Sequence, residues 1–199
     1  IKNKRTHLLM YAVMRFGKSF TAMSCAQKMG ADLVLVVSAK ADVKGEWKKT
    51  VEKFRNFEEY QYVSSEDLKA DHKLISEARK NRQKIVVCLT LQDLSSRDIK
   101  DRHRQLFTQS VDLLIVDETH FGARAKHYGS VLTKPSGEKV LAQEKKYNDE
   151  TVDDLLEKTR QLKSKIQLHL SGTPYRILMG NEFSEEDIIS YCQFTDIIE

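Results

Sequence analysis

The chain has 199 residues, of which 40% are hydrophobic and 31% charged, and carries a formal net charge of +4. That length suits one α/β domain with a core of its own, and the apolar-to-charged balance excludes a disordered or fibrous chain. The slight basic excess permits nucleic-acid contact without demanding it, and no apolar run is long enough for a membrane helix.

Three cysteines, Cys25, Cys88 and Cys192, show no C-x-x-C spacing, which argues against a disulfide framework and predicts a reducing, cytoplasmic setting. Cys25 and Cys88 fit buried filler positions. Lys2, Lys4 and Arg5 precede the first apolar run, but Arg15 interrupts it and no small-residue cleavage site follows, so it reads as a core strand rather than a signal peptide. The start at Ile1, close to a buried-type strand, suggests a fragment with sequence upstream. The end, FTDIIE, suggests a cut there as well.

The elements follow in order. HLLMYAV (7–13) is the first strand, and residues 18–29 form a helix stopping near Gly30. DLVLVVS (32–38) is an apolar run of the kind buried on both faces. KGEWKKTVEKF (44–54) is helical, with Trp47, Val51 and Phe54 at core spacing. EYQYVS (59–64) is a weak strand, 67–81 a single helix with a charged outer face, and KIVVCLT (84–90) a strong strand. A helix over 98–109 precedes the strand DLLIVDE (112–118); residues 124–152 read as a long polar loop or lid. A helix over 153–164 leads to IQLHLSGT (166–173), the last clear strand. Strands alternating with helices predict a mostly parallel sheet with helices on both faces, and ligands gather at the C-terminal strand ends of such sheets.

Two of those ends carry chemistry. Residues 7–30 run strand, tight loop, helix, with Gly17-Lys18-Ser19 at the helix start. Backbone N–H groups of such a loop and first turn converge on one spot and attract an anion. Lys18 supplies charge for outer phosphates, and Ser19 a hydroxyl for Mg²⁺. Arg15, Phe16, Gly17, Lys18, Ser19 and Phe20 are the candidate nucleotide-binding residues. Ala12 stands where G-x-x-x-x-G-K-[ST] has its first Gly, and the tripeptide alone fits an ordinary helix start equally well. The second end is LLIVDETH, which sets Asp117 and Glu118 beyond a buried strand. Asp117 can hold, usually through water, the Mg²⁺ that Ser19 also binds, and Glu118 can orient and deprotonate the water attacking the γ-phosphate. An acidic turn after a strand is the bland alternative, made improbable by the G-K-S loop upstream.

With His120, the segment D-E-x-H resembles motif II of superfamily 2 helicases and translocases of the DEAH type, with Thr119 where Ala is commonest. Gly17-Lys18-Ser19 resembles motif I, in which Ala in place of the first Gly is common. VVSAKADVKGEW (36–47) resembles motif Ia, and LTLQDL (89–94) is similar to the T-x-Q segment; LSGTPYR (170–176) resembles motif III. The order of these pieces is more specific than any one of them, and their forms are similar to motors of restriction enzymes and mobile elements.

The resemblance implies a RecA-like P-loop NTPase lobe using ATP and Mg²⁺, with Lys18, Asp117 and Glu118 in catalysis. It implies that His120, Ser171 and Thr173 couple nucleotide state to nucleic-acid binding, and that Ser38, Lys40, Thr90 and Gln92 meet the nucleic acid. The implied partners are double-stranded DNA, held by its backbone, and a second RecA-like lobe of the same full-length chain bearing arginine fingers; no membrane is involved. Without that lobe, residues 1–199 are expected to bind ATP weakly and hydrolyse it slowly or not at all.

Lys40, Lys44, Lys48 and Lys49 follow the second strand and could meet phosphates, though Lys48 and Lys49 equally suit a solvated helix face. Two other readings stay open: an RNA helicase lobe, and a nucleotide-binding interaction module that has lost hydrolysis. A metal-site enzyme is remote, because His120, His127 and His169 lack ligand spacing.

Overall fold

The computed structural model describes residues 5–13, 16–38, 43–90, 93, 106–117, 162–172 and 184–192. Their strands are β1 (His7–Ala12), β2 (Leu33–Ser38), β3 (Tyr60–Val63), β4 (Lys84–Thr90), β5 (Val111–Asp117), β6 (Ser164–Ser171) and β7 (Ile188–Cys192). The helices are α1 (Lys18–Met29), α2 (Val43–Lys53), α3 (Ser65–Ala70) and α4 (Leu74–Lys80). The strands form one seven-stranded sheet in the order β3-β4-β2-β5-β6-β1-β7. Every pairing is parallel, so the expected α/β architecture with a parallel sheet is what the chain adopts.

Strand alternation divides the core in two. On one face Val34, Val36, Val86, Cys88, Leu113 and Ile115 meet Ala22, Met23 and Ala26 of α1 and Trp47 and Val51 of α2. On the other Leu33, Leu35, Val37, Val87 and Leu114 meet Leu68 of α3, Ile75 and Ala78 of α4, and Leu106. Helices therefore cover both faces, and every residue of β2 is buried, as its unbroken apolar run requires. Burial pushes the Cys88 thiol up to about 11, in keeping with an inert core residue; Cys25 is only half-buried.

α1 ends where expected. Gly30 is left-handed (φ 64°), and its N–H donates to the carbonyls of Ala26 and Gln27. The Ala31 N–H also reaches the Ala26 carbonyl, completing a Schellman motif.

Three expectations need correction. The single helix over 67–81 is two, because Asp71 is extended (φ −132°, ψ 105°) and its carboxylate accepts the Lys73 N–H. A capping box starts the first of them, with Ser64 and Asp67 each accepting the other's backbone N–H. Phe54 lies just past the end of α2 and is 45% exposed, its ring edge-on to Phe20 at 4.8 Å rather than in the core. The strand ending in Ser171 is not the last, since β7 adds an edge beside β1. Arg5 holds the turn leading into β7, reaching Ser184, Glu186 and Asp187.

The N-terminal edge of the sheet has its own clasp. Asp112 accepts N–H bonds from Asp32 (3.0 Å) and Leu33 (2.9 Å) and pairs with Lys165 at 2.6 Å, tying the starts of β2, β5 and β6 together. Burial pushes its carboxyl upward, but the bonds from Lys165, Leu33 and Asp32 outweigh this and hold it below its ordinary value of 3.8. A depressed folded pKa gives stability that is complete above the ordinary value and lost as pH falls through the folded one. Asp112→Asn is expected to cost about 1–2 kcal/mol near neutrality and to lose that deficit at strongly acidic pH. Urea unfolding of both proteins across the acid range measures it; a deficit independent of pH would remove the carboxylate's charge from the explanation.

Candidate active site

In an all-parallel sheet every strand ends at the same edge. Ser38 lies in register with Thr90 on one side and with Asp117 on the other. Farther along the edge, Val116 faces His169 and Tyr11 faces Ser171. Thr90, Ser38, Asp117 and Ser171 thus end adjacent strands, beside the end of β1 from which the loop to α1 departs. Among the described residues the buried polar side chains are Ser38, Thr50, Ser65, Thr90, Asp117 and Ser171. Four end strands, and Thr50 and Ser65 reach the same edge from α2 and α3. Burying polar groups is costly unless they are bonded, so their gathering at one edge marks it as built for chemistry.

The loop has the geometry of an anion cradle. Gly17 is the N-cap of α1 with φ 89° and ψ 34°, and among the described residues no side chain caps the helix. That left-handed conformation disfavours any residue with a Cβ. The first turn holds no acidic residue, and the N–H groups of Lys18, Ser19 and Phe20 have no intrahelical acceptor. Lys18 folds over the loop, its Nζ donating to the carbonyls of Ala12 (3.3 Å) and Val13 (3.4 Å). The Phe20 side chain belongs to packing, its ring 5.2 Å from Phe57, so only its backbone faces the cradle. Phe16 is exposed.

α2 links the loop to the acidic strand end. Its Trp47 indole N–H donates to Asp117 Oδ2 at 2.9 Å. One turn on, Thr50 Oγ1 lies 3.2 Å from Ser19 Oγ and donates to the Glu46 carbonyl at 2.9 Å. Residues three apart share a helix face, with Cβ atoms about 5–6 Å apart, so motif residues from β5 and α1 meet across one turn of α2.

A second cluster closes the end of β4. Asp93 accepts the Thr90 N–H (2.9 Å) and Oγ1–H (2.8 Å), the Ser65 hydroxyl (3.1 Å) and Lys44 Nζ (2.9 Å). Burial pushes the Asp93 carboxyl up, but the bonds from Thr90 and Lys44 together hold it far below the carboxylate range. Lys44 is therefore paired rather than presented to phosphates, and Lys48 lies 3.8 Å from Glu52 on the helix surface. His169 is pushed down to about 4 by burial, with His7 adding to the shift, and is neutral near pH 7.

Of the sequence candidates, Phe16, Gly17, Lys18, Ser19, Phe20, Ser38, Thr90, Asp117 and Ser171 lie on this edge or its loop. Arg15, Lys40, Gln92, Glu118, His120 and Thr173 lie outside the described residues, as do His127 and the loop over 124–152. Trp47, Thr50 and Asp93 were not anticipated at the site. Trp47 closes the segment that resembles motif Ia but its spacing signals a core position, and Asp93 lies in the T-x-Q segment, where the T-x-x-D spacing of Thr90 and Asp93 hints at a turn in which a side chain bonds backbone.

The sequence profile of the family described as type III restriction enzyme, res subunit, matches residues 1–176. The chain belongs to this family. Its fold is the RecA-like first lobe of superfamily 2 helicases, and the res family is one of ATP-dependent helicases and ATPases. A Mycoplasma pneumoniae protein named as the C-terminus of a type II restriction enzyme and methyltransferase is 28% identical over 207 residues. The alignment takes in 94% of this chain, which spans 28% of that relative's length. Among solved structures, the Sulfolobus solfataricus SWI2/SNF2 ATPase core in complex with dsDNA superposes with a TM-score of 0.56 at 17% identity, over 89% of this chain and 30% of that one. The Pyrococcus furiosus Hef helicase domain gives 0.52 at 18% identity, over 99% and 37%. Both are likenesses of fold. Among the described residues no helix of this res-family lobe is long and apolar enough to cross a membrane.

Proposed function

We propose that the chain is the ATP-binding first motor lobe of an ATP-dependent DNA helicase or translocase serving a restriction-modification or mobile-element system. In this reading residues 1–199 are one RecA-like lobe with a polar insertion over about 124–152, and a second lobe of the full-length chain completes the motor. The observation that carries it is the meeting of the Gly17-Lys18-Ser19 loop with Asp117 through one face of α2.

The donor set fits Mg-ATP. An uncapped helix start, a lysine at the loop mouth, a hydroxyl and a carboxylate are the groups a triphosphate and a hard, oxygen-seeking cation require. Bound Mg²⁺ would neutralise phosphate charge. The N–H groups of Gly17 to Phe20 would hold phosphate oxygens, and Lys18, which sits on the Ala12 and Val13 carbonyls, would supply charge to the outer phosphates. Ser19 and Asp117 would hold the metal, and Glu118 would take the proton of the attacking water. His120, Ser171 and Thr173 pass the state of that site along the edge to Ser38, Lys40, Thr90 and Gln92, which follow a DNA backbone. The dsDNA bound by the SWI2/SNF2 relative supports duplex DNA as the partner.

The intact protein is expected to hydrolyse ATP faster with duplex DNA than with single-stranded RNA. Stimulation by single-stranded RNA alone would favour an RNA helicase lobe. Intact Lys18, Ser19, Asp117 and Glu118 weigh against a module without hydrolysis.

A further inference from the structure

Three contacts leave α2 along one face, at successive turns. Lys44 reaches Asp93, Trp47 reaches Asp117, and Thr50 reaches Ser19. The last two partners are the residues that the proposed function assigns to the metal. We propose that Trp47 and Thr50 are positioning residues for the Mg²⁺ site, with α2 setting the separation and orientation of its two protein ligands. This rests on the reading of the site as a Mg-nucleotide site and adds to it the groups that tune the metal.

Thr50 has one hydroxyl proton and gives it to the Glu46 carbonyl. Thr50 Oγ1 can then only accept from Ser19, so the Ser19 proton points at Thr50 and its lone pairs point elsewhere. A hydroxyl coordinates a cation through those lone pairs, so Thr50 holds Ser19 in the ligating orientation. Trp47 acts on the other ligand. The indole N–H has no acceptor capacity and fixes Asp117 Oδ2, which sets the plane of the carboxylate.

Both positioning side chains are buried; the Trp47–Asp117 bond is buried with them, and the Thr50–Ser19 bond is partly so. The helix itself is held in place at its first turn by the Lys44–Asp93 pair. Neither bond is needed merely to fill space, because Phe and Val would occupy most of the same volume.

The test is ADP binding to the intact protein by calorimetry, in excess chelator and then across a Mg²⁺ titration. Thr50→Val and Trp47→Phe are each expected to raise the half-saturating Mg²⁺ concentration about 10–100-fold. In chelator both should keep the unsubstituted protein's ADP affinity, and Thr50→Ser should restore the Mg²⁺ response. If Trp47→Phe fails to fold, the Thr50 pair decides alone. An unchanged Mg²⁺ midpoint, or an equal loss of ADP affinity with and without Mg²⁺, would overturn the positioning role and leave the nucleotide site standing. An unsubstituted protein whose ADP affinity ignores Mg²⁺ would overturn both.

Discussion

ATP hydrolysis by the intact protein is expected to fall about 10²–10⁴-fold when Glu118 becomes Gln, the range lost with a general base. Gln keeps the shape and can orient a water, but it cannot take the proton. Glu118 itself lies outside the described residues, and its proposed role follows from its place next to Asp117, which the structure fixes at the end of β5 under the Trp47 indole. The change removes no charge from the loop and no proposed metal ligand, so Mg-ATP binding should survive it. Single-turnover hydrolysis alongside equilibrium ATP binding separates the two quantities. Hydrolysis that continues unchanged would take Glu118 out of catalysis and favour the nucleotide-binding interaction module.

The parts of the fold that were legible in the sequence are those buried on both faces. β2 and β4 read as nearly continuous apolar runs because almost no part of them meets water. β7 was missed because it is a short edge strand, half-exposed where its side chains are described, and so carries no such run. The break between α3 and α4 is hidden because Asp71, His72 and Lys73 include neither Gly nor Pro; the stop comes from the Asp71 side chain accepting the backbone N–H two residues on. Phe54 continued the helical spacing of Trp47 and Val51, but α2 ends at Lys53, and the ring turns outward to meet Phe20.

At the site, the strand-end residues were legible for a topological reason. A parallel sheet collects the ends of all its strands, so motifs at successive strand ends must become neighbours. What α2 contributes was not legible, since a tryptophan and a threonine three apart on an amphipathic helix look like core. Their partners lie 70 and 31 residues away in the chain. The Lys44–Asp93 pair likewise spans 49 residues. Its formation withdraws from the solvent-facing surface a charge that the sequence alone offers to nucleic acid.

In the proposed function the loop after β1 and the end of β5 together form a Mg-nucleotide site. Lys18→Ala tests it most directly, because among the described residues the bonds Lys18 makes are two long ones to loop carbonyls, at 3.3 and 3.4 Å. Charge-assisted hydrogen bonds contribute about 1.5–3 kcal/mol each, so its loss should weaken ATP binding about 10–100-fold. The measurement is equilibrium binding of ATP in Mg²⁺ to the intact protein and to Lys18→Ala, with urea unfolding to confirm that both are folded. The account predicts Mg²⁺-dependent binding that the substitution weakens by at least about tenfold at unchanged stability. Equal binding by the two proteins, or none by either, would contradict it.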